Sequence, residues 1–182
     1  MHPRQLVRKA VIARVKGATA AGAHVTGTRV KSYRKGEPPS LSVYTLSEAV
    51  DEASAHSAPR ELTRETNIEI AGWVAIGSNN DDDPGDVLDD LAREIEAAMD
   101  TDRYLGGTVG GDGAVLTGTE MEVRIEGDQL LGIVTLTYTA TYFTYPGATA
   151  PADDFLRAGV TTEVNGATVD NAANDVIPVR ES

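Results

Sequence analysis

Glu61-Leu62-Thr63-Arg64-Glu65-Thr66-Asn67-Ile68-Glu69-Ile70-Ala71-Gly72-Trp73-Val74-Ala75-Ile76 is the stretch that decides the fold class. Successive side chains of an extended strand point to opposite sides, so Leu62, Thr66, Ile68, Ile70, Val74 and Ile76 share one face. Glu65, Asn67, Glu69 and Trp73 share the other. Period two over this length predicts a long antiparallel strand with one wet face. Downstream, Asp83-Pro84 reads as a helix N-cap followed by proline at the first helical position. Asp86, Asp89 and Asp90 are well placed there against the helix dipole. Leu88, Leu91, Ala92, Ile95 and Met99 form the apolar stripe of a helix reaching about Met99, and its other face is acidic.

Two more strands follow a glycine-rich segment, Gly106-Gly107 and Gly110–Gly113, which reads as a turn region. In Thr119–Glu126, Met121, Val123 and Ile125 alternate with Glu120, Glu122, Arg124 and Glu126. Gly127-Asp128 supplies hairpin chemistry, and Leu131–Thr144 alternates Val134, Leu136, Tyr138, Ala140 and Tyr142 with a row of threonines. Upstream, Leu41–Thr45 predicts a strand and Ser47–Pro59 a polar loop. A short β segment is expected around His24–Tyr33. Pro3–Lys16 predicts a helix with Leu6, Val7, Ala10, Val11 and Ala13 at helical spacing, ended by Gly17. Its opposite face carries Arg4, Arg8 and Lys9. Lacking a Trp or Phe anchor, it is expected to dock on a sheet rather than on a membrane surface.

These elements make an α+β fold, with two helices packed on a mostly antiparallel sheet of about four strands. The core is expected over residues 1–145, followed by a C-terminal extension over 146–182. There Gly159–Asp170 predicts a hairpin turning at Asn165-Gly166. A hairpin this small is marginal alone and needs a surface to lie on.

A chain of 182 residues, 41% hydrophobic and 24% charged, suits one domain plus tails. Its longest apolar runs, Leu130–Val134 and Ala71–Ile76, fall far short of the roughly 20 residues of a membrane helix. Lys9, Arg14 and Lys16 interrupt what would be a signal-peptide core. The sequence has no cysteine, which excludes disulfides, thiolate metal sites and cysteine nucleophiles and points to a reducing compartment. The net charge of −12 is unevenly spread. Residues 1–36 hold nine Lys or Arg and no acid, leaving 7 basic and 28 acidic residues, a net of −21, for the other 146. Such segregation fits a solvated surface, contact between copies, or, less well given the acidic body and the lack of a stacking set, a grip on nucleic acid.

Catalytic patterns are absent from this reading. His2, His24 and His56 have no partners at metal-ligand spacing. No Gly-x-Ser-x-Gly elbow occurs, and the glycines at 106–113 lack the Lys-Ser/Thr of a phosphate loop. The acidic run Asn79–Asp86 resembles the start of a calcium loop, but Pro84 stiffens its middle and Ala92 stands where the bidentate Glu belongs. No catalytic residue, metal or cofactor is expected. Glu120 and Glu122 read as a wet or charged interface face, and Trp73, an aromatic on a polar face, as a binding residue covered by the extension or by another subunit. The candidate interface residues are therefore Arg4, Arg8, Lys9, Arg14, Trp73, Glu120 and Glu122.

The basic N-terminal helix, Pro38-Pro39-Ser40-Leu41-Ser42-Val43-Tyr44-Thr45, the Arg60–Ile70 strand, the Leu88–Glu96 helix and Leu116-Thr117-Gly118-Thr119-Glu120 together resemble the tail terminator proteins of long-tailed bacteriophages, of the minor tail protein U type. The likeness spans residues 3–144. It implies a hexameric ring that caps the tail tube, stops its polymerisation and joins it to the head-neck or head-completion protein. DNA would pass through the pore without sequence-specific binding. It also implies a place at the head-proximal end of the virion tail after assembly in the host cytoplasm, with no membrane partner. Other readings are another phage neck, tube or baseplate protein or, from a different class, a small calcium-dependent binding module or carboxylate-based enzyme.

Overall fold

The computed structural model describes residues 1–27, 38–56, 61–76, 83–126 and 129–145, and the backbone of 162–164 and 167–169. Helix α1 spans Pro3–Val15. The His2 ring accepts from the Arg4 N–H, and Pro3 occupies a position where no amide donor is needed. Its buried residues are Val7, Val11 and Val15, one residue per turn. That stripe is narrower than the expected apolar face: Leu6 is 46% exposed and Ala13 is also exposed. Gly17 and Gly22, both at positive φ, close the following loop through a Gly17 N–H to Gly22 carbonyl bond.

Strand β1, Val25–Gly27, pairs in parallel with β2, Ser40–Val50, in the register Val25↔Leu41. It makes the sheet five-stranded rather than four-stranded. It falls within the short β segment expected around His24–Tyr33, but three residues with one buried side chain carry too little alternation to show that it joins the sheet. β2 also continues past Thr45, through a register shift between Thr45 and Ser47, into the segment expected to be a polar loop. Its polar residues are held there. Ser47 accepts through its carbonyl from the Thr66 hydroxyl at 3.0 Å and through its hydroxyl from Asn67 Nδ2 at 2.9 Å, and Glu48 pairs with Arg64. A short helix α2, Glu52–Ala55, follows, capped by the Asp51 carboxylate.

The decisive stretch forms β3, Leu62–Ile76, and lies at the centre of the sheet. Helix α3, Pro84–Asp100, begins at the expected cap: the Asp83 carboxylate accepts from the Gly85 N–H at 2.8 Å. Leu88, Leu91, Ala92, Ile95 and Met99 are all buried. β4, Gly110–Glu126, and β5, Gln129–Thr144, complete the order β1-β2-β3-β5-β4, in which every pair except β1–β2 is antiparallel. The α+β class therefore holds, with a mixed sheet. α1 packs on β1, β2 and α3, while α3 packs on β3, β5 and β4. One core joins Val7, Val11 and Val15 to Ile68, Ile70, Val134, Leu136, Tyr138 and the α3 stripe. Gly72 lets α3 come close, since a Cβ there would lie 2.9 Å from Leu91 Cδ2 and 3.1 Å from Leu41 Cδ2.

The glycine run at 110–113 is not the expected turn but the irregular start of β4. Register shifts fall between Gly110 and Val115 and between Leu116 and Gly118. Gly113, at φ +80°, brings its backbone so close to Arg103 that a Cβ would stand 2.8 Å from the Arg103 carbonyl oxygen.

Residues fall into two compact units, Met1–Pro146 and Gly147–Ser182. In the second, β6, Thr162–Val164, pairs antiparallel with β7, Ala167–Val169, around the Asn165-Gly166 position. That turn itself, the Gly127-Asp128 turn, the basic residues 29–35 and the acidic residues 79–82 lie outside the described residues.

Candidate interaction surfaces

The cross-strand register sorts the candidate residues onto three surfaces. Trp73 pairs with Ser40 on one side and Ile133 on the other, and Ile133 pairs with Glu122. The next row is Ser42, Ala71, Thr135 and Glu120. Trp73, Glu120 and Glu122 thus share the sheet face opposite the helices, with Trp73 and Glu122 two strands, or about 10 Å, apart. Trp73 is half-buried, Ile133 is 7% exposed, and Glu120 and Glu122 are exposed. Arg124 lies on the same face with its Nε 3.9 Å from the Glu122 carboxylate.

The basic residues of α1 belong to the other layer and do not act alike. Arg14 donates to the Asp102 carboxylate at 2.7 Å, both groups being about 70% buried, and so ties α1 to the end of α3. Arg8, half-buried, reaches the Thr45 hydroxyl at 3.4 Å. Arg4 is half-buried near Glu48. Lys9 alone among the four candidates is exposed, and it shares an outward stripe with Gln5, Leu6, Ala13 and Lys16. The expected basic patch is therefore partly spent inside the subunit. A 3.6-residue period places these residues on the flanks of the buried valine stripe, where long side chains bend back to polar partners.

The third surface was not anticipated. Met121, Val123 and Ile125 point to the helix side of the sheet, yet they are 42%, 44% and 76% exposed. A helix about 10 Å wide covers two strands spaced about 4.8 Å apart, so two helices cover four strands and leave a fifth bare. Counting helices against strands in the sequence would have revealed the bare strand, had β1 been counted. Between α3 and β4 runs a shallow groove lined by Asp89, Ala92, Arg93, Glu96, Thr119 and Met121. β4 also ends the sheet, so its outer backbone edge meets no strand among the described residues. Long apolar edges of this kind are association sites unless they are covered.

One buried polar cluster lies near the α1 end. Glu48 accepts from both Arg64 and the Tyr142 hydroxyl, and Arg64 Nε also donates to the Thr144 hydroxyl at 2.8 Å. Burial pushes the Glu48 carboxyl up. The hydrogen bonds from Tyr142 and Arg64 and the charges of Arg64 and Arg4 outweigh this and hold it below its ordinary value of 4.5. Burial and the Glu48 carboxylate push the Tyr142 phenol above its usual range. The ions in this part-buried cluster satisfy one another, which suits a structural lock. Asp83 is occupied as a helix cap and His2 as another, while His24 and His56 are exposed. Among the described residues no group of three His, Asp or Glu could hold a metal ion, and no helix is long and apolar enough to cross a membrane.

No family model and no curated protein matches this chain. Among solved structures, it is similar to the sheath/tube terminator of PVC, an extracellular contractile injection system, in its extended state. The identity is 14% and the TM-score 0.41, over 92% of this chain and 65% of that one. This chain therefore spans less than two thirds of the length of that protein.

Proposed function

We propose that this chain is a structural, non-enzymatic tail terminator, of the minor tail protein U type that its sequence resembles. In this reading it forms a hexameric ring at the head-proximal end of a tail tube, stops tube polymerisation and joins the tube to the head-neck complex. DNA crosses the pore without sequence-specific contacts, and the ring assembles in the host cytoplasm before incorporation into the virion. The observation that carries the reading is the bare edge strand β4, a long apolar row at one edge of the sheet. At the other edge stands a helix whose outward stripe is cationic. A subunit whose two sides differ in this way among the described residues is suited to head-to-tail contact, which closes into a ring when the rotation permits. A hydrolytic or calcium-binding role has less support: Asp83 is a helix cap, Asp102, Glu48 and Asp90 are ion-paired, and among the described residues no group of three acids or histidines could hold a metal ion.

The test is addition of the protein to polymerising tail-tube subunits, with tube length measured by electron microscopy and the ring stoichiometry by native mass. Tubes that stop at the moment of addition and carry a six-fold ring at one end support the reading. Tubes that elongate unchanged, with no ring at either end, overturn it.

A further inference from the structure

We infer that the groove between α3 and β4 receives helix α1 of a second copy of this chain, so that each subunit lends its first helix to complete its neighbour's helix layer. This rests on the assembly reading above but names the surfaces, which that reading does not require.

Among the described residues the helix layer stops at α3 and leaves β4 exposed. On its inner flank α3 is already partnered within the chain: Arg14 of α1 bridges to Asp102 just beyond α3, and Glu94 accepts from the Ala20 N–H at 2.6 Å. On its outer flank the shallow groove over Thr119 and Met121 separates it from β4. Met121, Val123 and Ile125 extend that floor along β4 and lack a cover. The regular part of β4, Thr119–Glu126, is about 27 Å long at 3.4 Å per residue, and the 13 residues of α1 span about 20 Å. A helix of this length fits the uncovered floor.

Charge selects which helix. α3 carries six acids and one base, and the groove side presents Asp89 and Glu96, seven residues apart. Arg93 also lines the groove but is paired to Asp90 at 2.9 Å. The outward stripe of α1 carries no acid and presents Lys9 and Lys16, also seven residues apart. At 1.5 Å per residue both pairs are separated by about 10 Å along their helices, so two lysines and two carboxylates align in one docking. Leu6, exposed on the same stripe, supplies the apolar contact for Met121. Within one chain this pairing is excluded, because α1 sits on β1 and β2 at the opposite end of the sheet. The contact is heterologous and repeats from copy to copy.

A charge-swap experiment on the full chain tests it. Variant A is Lys9→Glu with Lys16→Glu, and variant B is Asp89→Lys with Glu96→Lys. Lys9, Lys16 and Asp89 are exposed and Glu96 is half-buried, so melting curves of each variant are taken first and must show that it folds. Alone, A and B each present like charges at every contact, so self-association should weaken about tenfold or more at low salt. Mixed in equal amounts they restore both contacts, and association should return to wild-type strength with A and B alternating. The four changes together in one chain should also restore it. Rescue in the mixture supports the pairing. Undiminished association of A or B alone, loss without rescue, or a wild-type chain that stays monomeric overturns it. A wild type that caps tubes through another contact would overturn this pairing and leave the functional proposal standing. Rescue without capping would do the reverse.

Discussion

Leu41, Gly72, Val134 and Met121 form one cross-strand row on one face of one sheet, yet its two ends differ. Leu41 and Val134 are 1% and 0% exposed beneath the helices, and Met121, at the far end, is 42% exposed. The sequence pattern is the same at both ends: an apolar residue alternating with polar neighbours. Period two reports which face a side chain takes, whereas coverage of that face depends on how many helices reach it. One face of this sheet is therefore both a core and a surface, and the boundary runs along the outer flank of α3.

The largest effect that probes this contrast comes from the covered end. Leu136→Ala should cost about 2–5 kcal/mol, because it opens a cavity under α3. Urea unfolding would check it, and a cost below that of an exposed substitution would mean that the two ends do not differ. Next comes the cluster beneath α1. Glu48→Gln should destabilise by about 1–3 kcal/mol, since Arg64 would be left half-buried without its counter-charge. The sign with pH follows from the lowered Glu48 value. The contribution of the folded-state pairing is complete above the ordinary carboxylate value of 4.5 and is lost as pH falls through the lower folded value. The wild type should lose stability on acidification in that window, and the Gln variant should lose less.

Smaller still is Tyr138→Phe. The Tyr138 hydroxyl is buried with no hydrogen-bond partner among the described residues, and burial pushes its ionisation above the usual range. Removing the hydroxyl should leave stability unchanged or raise it by up to about 1 kcal/mol. A clear loss in thermal unfolding would show that the hydroxyl has a partner. The smallest expected change follows truncation after Pro146. The first unit contains the whole described core, so its melting temperature should move by less than about 2 °C. A larger drop would show that the second unit supports the first.

How legible these features were depended on length and on partners. β3, α3 and β5 were readable because each repeats its pattern over many residues, and Asp83-Pro84 marks a helix start by chemistry alone. A short β segment is expected around His24–Tyr33 and β1 lies within it, but three residues give no period from which its place as a fifth strand of the sheet could be read. The continuation of β2 escaped because Ser47 and Glu48 look like loop residues until Thr66, Asn67 and Arg64 are placed beside them. Among the candidate surface residues, alternation alone sets Trp73, Glu120 and Glu122 off the core rows, and the strand register places them on the face opposite Gly72, Val134 and Met121. Arg8 and Arg14 were not recognisable as inward-facing: their partners Thr45 and Asp102 lie 37 and 88 residues away. Charge reversal at Arg14 should therefore lower the melting temperature, whereas the same change at exposed Lys9 should leave it nearly unchanged.

The central claim is that the uncovered end of the row, on β4, is where copies meet. Native mass of the wild type beside Val123→Lys/Ile125→Lys tests it most directly, both proteins first being shown to melt alike, as surface changes of this kind should within about 0.5 kcal/mol. The account predicts a higher-order, six-fold species for the wild type and a monomer for the lysine variant at the same concentration. A lysine variant that melts like the wild type and keeps its assembled mass would contradict it.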